Sequence, residues 1–241
     1  FFFSLGNHIP YGAKALIIRY DPKTKTQQVV LNSQEATGWS KDVFADSKLH
    51  GDPIVDARGD MYLLTFFSPP PNPAEMATCW RGSWLIHYNA FTGAVEDLGI
   101  PLEGESWPYH VYDPQRHLLF GAGHYGNVLA YDTRERRLIY GGPPKLGIAW
   151  YNRCVMLDPD TGVIYSTDSP AEKIGDIFNP GPNEDKTFKH YLVSYQRRNN
   201  TFTRLRCYSP ENPVLGRSGA VRAHTKRKTA EGAFWCFDHY G

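Results

Sequence analysis

Residues 110–142 read HVYDPQRHLLFGAGHYGNVLAYDTRERRLIYGG. Four short runs rich in Val, Leu, Ile, Phe and Tyr are separated by Asp-Pro, His-Tyr-Gly and Asp-Thr breaks, which is strand chemistry interrupted by turn chemistry. The stretch predicts two antiparallel hairpins in succession, strands a, b, c and d of one sheet.

The same units recur on either side. The a–b hairpin with its Asp-centred turn returns as PIVDARGDMYLLTF (53–66), VMLDPDTGVIYSTD (155–168) and, less closely, VRAHTKRKTAEGAFWCFD (221–238). The c strand returns as ALIIRYDPKTK (15–25), SWLIHYNAFTG (83–93) and HYLVSYQRRNN (190–200), which puts Tyr20, Tyr88, Tyr131 and Tyr195 at equivalent positions. Each c strand leads through a short turn into a d strand such as QQVVLNS, AVEDLG or FTRLRCYS. Four antiparallel strands every ~43 to 68 residues, with the length variation confined to one loop, is the period of a β-propeller blade. A β-sandwich with accidental similarity is the competing architecture; three complete copies sharing both the Asp turn and the Tyr favour the propeller. FFFSLGNH at the start matches LLFGAGH and FWCFDH, all strands b. The fold class expected is therefore all-β: a single propeller domain over residues 1–241, incomplete at both ends, with three complete and two partial blades.

Composition sets the outer limits. With 241 residues, 26 Lys+Arg against 25 Asp+Glu and 14% aromatics, the chain can bury a substantial core and carries no charge excess to draw it to nucleic acid or a membrane surface. No stretch is long and apolar enough to span a bilayer, and FFFSLG lacks the basic start and apolar run of a signal peptide. The four Cys show no CxxC spacing.

In a propeller, one face gathers the starts of strands a and the ends of strands b, and loops on such a rigid scaffold carry binding and catalytic groups. His8, His50, His110, His124, His224 and His239 all fall on this rim, with Tyr109, Tyr125, Tyr151, Arg153 and Arg222. His87, His117 and His190 fall in outer strands or turns, as solvated or structural residues. Imidazole, phenol and guanidinium together suit proton transfer beside a bound anion. Few carboxylates are expected on the rim, which disfavours a glycosidase pair, a calcium site and a metal-dependent lactonase-like propeller. The candidate substrate-binding residues are Trp107, His110, Trp150, Tyr151 and His8; the aromatic ones either stack on sugars or pack between blades. Hairpin pairing brings His224 near Cys236, with Cys154 and Cys207 on neighbouring strands, so these four either form a structural zinc site or are buried thiols and a rim imidazole.

The runs KLHGDPIVDARGDMYLL, YNAFTGAVEDLGIP and DPQRHLLFGAGHYGNVLAYDTRERRL resemble the repeats of β-propeller polysaccharide lyases, namely the ulvan lyases and, more distantly, the oligogalacturonate lyases. The resemblance covers most of residues 48–168 and the last hairpin. It implies seven blades in the intact protein and an anionic, uronate-containing polysaccharide or oligosaccharide as partner. It also implies extracellular or periplasmic work and no cofactor for the chemistry. By the same resemblance, His50 looks like the His opening a strand a and Tyr109 like the Tyr of the next one. Phe66 and Phe67 stand where the family places a His, and His124 and Tyr125 where it places an Arg. The implied reaction is β-elimination. Arg153 or Arg222, with a His such as His224, would neutralise the carboxylate; His50, Tyr109, His124 or Tyr125 would move the protons. The competing class is a non-catalytic propeller that binds a glycan or protein on the same rim.

Overall fold

The structure, a computed structural model, describes residues 1–6, 15–38, 46, 48–67, 80–146, 149–150, 155–169, 191–207, 223–224, 229–233 and 236–237. They form antiparallel sheets strung along the chain. The first holds β1 (Phe2–Leu5), β2 (Leu16–Asp21) and β3 (Thr26–Asn32), followed by the one-turn helix α1 (Ser33–Ala36). The second holds β4 (Asp60–Leu64), β5 (Leu85–Asn89) and β6 (Val95–Asp97). The third runs β7 (Tyr109–Asp113), β8 (Leu118–Ala122), β9 (Val128–Asp132) and β10 (Arg137–Gly142), in that spatial order. In the fourth, β11 (Ala149–Trp150) and β12 (Met156–Leu157) both pair with β13 (Ile164–Ser169), which leads to β14 (Tyr191–Gln196) and β15 (Thr201–Cys207). β16 (Ala223–His224) and β17 (Cys236–Phe237) make a last, two-stranded piece.

The turns close for a local reason. In the a–b turns, the side chains of Asp56, Asp113 and Asp158 accept from backbone N–H groups two residues on, at 2.9, 3.0 and 3.0 Å. In the c–d turns, Asp21, Asn89 and Asp132 do the same immediately after the repeated Tyr. The hairpin turns end on a residue of positive φ, such as Gly59 (85°), Gly93 (75°) and Gly162 (72°), or His117 (51°) and Arg136 (51°).

The core shows how the sheets stack. Ile17 and Leu31 of the first sheet meet Met61, Leu63, Ile86 and Tyr88 of the second. On the second sheet's other face, Tyr62, Leu64 and Leu85 meet Tyr112, Leu119, Leu129 and Tyr131 of the third. The third sheet's alternate residues, Leu118, Phe120, Val128 and Ala130, meet Ile164, Val193 and Tyr195 of the fourth. Period-2 alternation with both faces apolar is what face-to-face stacked blades require. Tyr88, Tyr131 and Tyr195 thus each face the preceding sheet. On the first sheet that same side carries the exposed Phe1, Phe3, Leu5 and Val29, with Tyr20 half-buried beside them.

One expectation is corrected and another resolved. Residues 53–56 do not form a ladder strand: Pro53 has no N–H to give, and the Ile54 N–H turns back to the Asp52 carbonyl at 2.8 Å. What remains of that strand is the Lys48–Phe66 bridge and the Asp56 N–H bond to the Asp60 carbonyl. His87, expected to be solvated or structural, is the latter: it is buried, with Nε2 2.9 Å from Asp60 and Nδ1 3.4 Å from Glu96.

Candidate functional site

The ends of the second and third sheets opposite the Asx turns are sewn together by backbone. Trp107 N–H donates to the Thr65 carbonyl at 3.3 Å, Ser83 N–H to Glu105 at 2.9 Å, and His124 N–H to Ser106 at 2.7 Å. The Phe67 N–H donates to the Ser106 hydroxyl at 2.9 Å. These bonds bring the segment before β7, the end of β4 and the β8–β9 corner to one mouth.

Rings line it in sequence. The exposed His50 meets Phe66 edge-on at 5.3 Å, Phe66 is 6.1 Å from His124, and His124 stands perpendicular to Tyr125 at 4.8 Å. Tyr125 lies 6.4 Å from Trp80, which stacks on Phe67 at 5.0 Å. Behind His50, Gly51 lies flat on His110: a Cβ there would sit 2.0 Å from the ring, so only glycine permits the approach. His110 is wholly buried, and neither ring nitrogen has a hydrogen-bond partner among the described residues. Burial pushes its pKa down to about 4, against the attraction of Asp52, and the imidazole is neutral at physiological pH.

Two buried carboxylates hold the mouth in shape, and the expected shortage of rim carboxylates is corrected by them. Glu105 accepts from the N–H groups of Ser106 (2.8 Å), Tyr125 (2.9 Å) and Asn127 (3.2 Å), and from the Asn127 side chain at 2.7 Å. Gly123 makes room for it, since a Cβ would lie 2.3 Å from the carboxyl carbon. Asp46 accepts from the hydroxyls of Thr65 and Ser83 (3.0 Å for the latter) and from Trp84 N–H at 3.3 Å. Burial outweighs these bonds and lifts Asp46 to about 6; it lifts Glu105 as well. The Tyr125 phenol is raised by its own burial and by the charge of Glu105, which keeps it protonated.

Of the residues singled out from sequence, the structure brings His50, His110, His124 and Tyr125 together. Tyr109 begins β7, half-buried against the core between the third and fourth sheets. Trp107 and Trp150 are corrected: both are fully buried between sheets, Trp107 against Gly121 and Trp150 5.4 Å from Phe120, and neither offers a face to a sugar. His8, Tyr151, Arg153, Cys154, Arg222 and His239 lie outside the described residues. His224 and Cys236 are register partners, as the hairpin predicts, but their side chains and that of Cys207 lie outside the described set. Glu105, Asp46 and Trp80 carry no signal in the sequence that marks them as site residues, whereas Phe66 stands at the position where the resembled family places a His.

The antiparallel sheets stacked face to face, four-stranded where complete in the third, define a β-propeller. No protein-family model and no curated protein matches the chain. Among solved structures it is similar to the Dos1 propeller, with a TM-score of 0.53 and 8% identity over 98% of this chain and 48% of that one. It is similar to the extracellular domain of a one-component system of B. thetaiotaomicron, with a TM-score of 0.52 and 10% identity over 98% and 25%. An oligogalacturonate lyase in complex with manganese aligns with a TM-score of 0.43 and 16% identity over 81% and 43%. The chain spans between 25% and 48% of the length of these three. The likeness to the first two is one of fold. Among the described residues no helix is long and apolar enough to cross a membrane.

Proposed function

We propose that this chain belongs to a polysaccharide lyase that cleaves a uronate-containing glycan by β-elimination at the mouth between the second and third sheets. The observation that carries the reading is the convergence there of His50, His110 and His124 with the protonated Tyr125. The His124 imidazole takes the proton from C5. The C–H electron pair becomes the C4=C5 double bond as the C4–O4 bond breaks, and Tyr125 supplies the proton that O4 gains. Arg153 or Arg222, with His224, neutralises the uronate carboxylate and so acidifies C5. The partner is an anionic glycan outside the cytoplasm, and the chemistry needs no cofactor.

One observation favours a second reading. His110 and His124 are buried, as packing residues would be, which suits a propeller that binds a glycan or protein on this rim without turning it over. Incubation with ulvan, polygalacturonate and alginate, following the absorbance of the unsaturated product, separates the two. A rise with one of them is the lyase result, and a flat trace with all three rejects it.

A further inference from the structure

Among the described residues, the half-exposed indole at the mouth is Trp80. Trp84 packs onto the core between the first and second sheets, and Trp107 and Trp150 are fully buried. Trp80 belongs to none of the three hydrophobic cores. Its plane lies within 23° of Phe67, whose ring is fully buried, so one indole face is occupied by the protein. The half-exposed Tyr125 meets it at 54° across 6.4 Å, which makes an aromatic corner rather than a stack. Tyr125 is in turn edge-on to His124 at 4.8 Å. A pyranose ring has an apolar C–H face and a polar rim, and such a corner offers an aromatic wall beside polar groups that fix orientation.

We propose that Trp80 and Tyr125 form a sugar-stacking subsite that seats one residue of the glycan next to His124. The choice of ligand rests on the uronate-glycan reading. Trp80, not Trp107 or Trp150, then carries the stacking role expected of the rim aromatics, and the ring line from Trp80 to His50 is the track along which the chain lies.

Affinity electrophoresis of the 241-residue chain through gels containing ulvan, polygalacturonate or alginate tests this, with circular dichroism to confirm folding. The parent should be retarded by at least one gel. Trp80→Ala should weaken retention about tenfold and Trp80→Phe, which keeps the contact with Phe67, by less. If Trp80→Ala does not fold, Trp80→Phe and the quenching of parent tryptophan emission by the same glycan carry the test. Retardation that depends on Trp80, without any unsaturated product, would remove the lyase reading and leave the subsite standing. Equal retention of parent and Trp80 variants, or no retardation of the parent by any of the three gels, overturns the subsite.

Discussion

The two ends of the same sheets solve the burial of charge in opposite ways. At the Asx-turn end, burial raises Asp60 and Asp132. Bonds from Asn89 and His87 to the first, and from the Glu135 and Arg134 amides and the Arg197 charge to the second, outweigh it and hold both carboxyls low. Glu96 is held low by the bond from Arg136. At the mouth, Asp46 and Glu105 are answered by hydroxyls, backbone N–H groups and one amide, and burial wins. The pairs Asp132–Arg197 and Glu96–Arg136 fasten neighbouring blades, and Asp60 is held within its own sheet. Neutral donors around buried acids at the other end hold a corner in place without adding a cation beside the imidazoles.

The sharpest way to break this contrast is Glu105→Ala. It strands the buried N–H groups of Tyr125 and Asn127 and should cost on the order of 4 kcal/mol in urea unfolding. Hydrogen exchange at those two amides should accelerate while the amides of the Asx turns keep their protection. Unchanged protection at Tyr125 and Asn127 would mean that Glu105 does not hold the corner.

The pH dependence comes next. Asp46 is raised in the fold, so its stabilising contribution is fully present below its unfolded value of 3.8 and is lost as pH rises through about 6. That is on the order of 3 kcal/mol, and Asp46→Asn should remove this share of the pH dependence, leaving that of Glu105, which has the same sign, and that of His110, which has the opposite one. The turn-end acids have the opposite sign: their contribution is present above their unfolded values and is lost as pH falls through their lowered ones. Unfolding at pH 4 and pH 7, for parent and Asp46→Asn, reads the difference; parallel curves would refute it. The smallest effect belongs to Arg136→Gln. Its pair with Glu96 spans 2.8 Å but both side chains are nearly half exposed, so the loss should be about 0.5 kcal/mol and should shrink in salt.

Sequence and structure agree where the signal is local. Asp56, Asp113 and Asp132 sit beside the amides they cap, and Tyr88, Tyr131 and Tyr195 repeat on one strand and one face, so blades and turns can be read from spacing. The histidines of the mouth are legible as repeat positions, since His50 and His110 open strands a and His124 follows a strand b. Their surroundings are not. Glu105 reaches Tyr125 and Asn127 across a whole hairpin, and Asp46 finds Thr65 and Ser83 from separate segments, contacts with no periodicity to betray them. Trp107 and Trp150 share the rim's composition with Trp80. Burial alone tells the core indoles from the one at the mouth, and burial is a property of the assembled sheets. Pro53 is the reverse case, a residue whose missing N–H could have marked the irregular strand beforehand.

The central claim is chemical, and one absorbance trace tests it most directly: formation of unsaturated uronate product by the parent and by His124→Ala on ulvan, polygalacturonate and alginate. The parent should give a rise on at least one substrate and the variant a rate lower by about a hundredfold or more. A flat parent trace on all three, or a His124→Ala rate equal to the parent's, would contradict it.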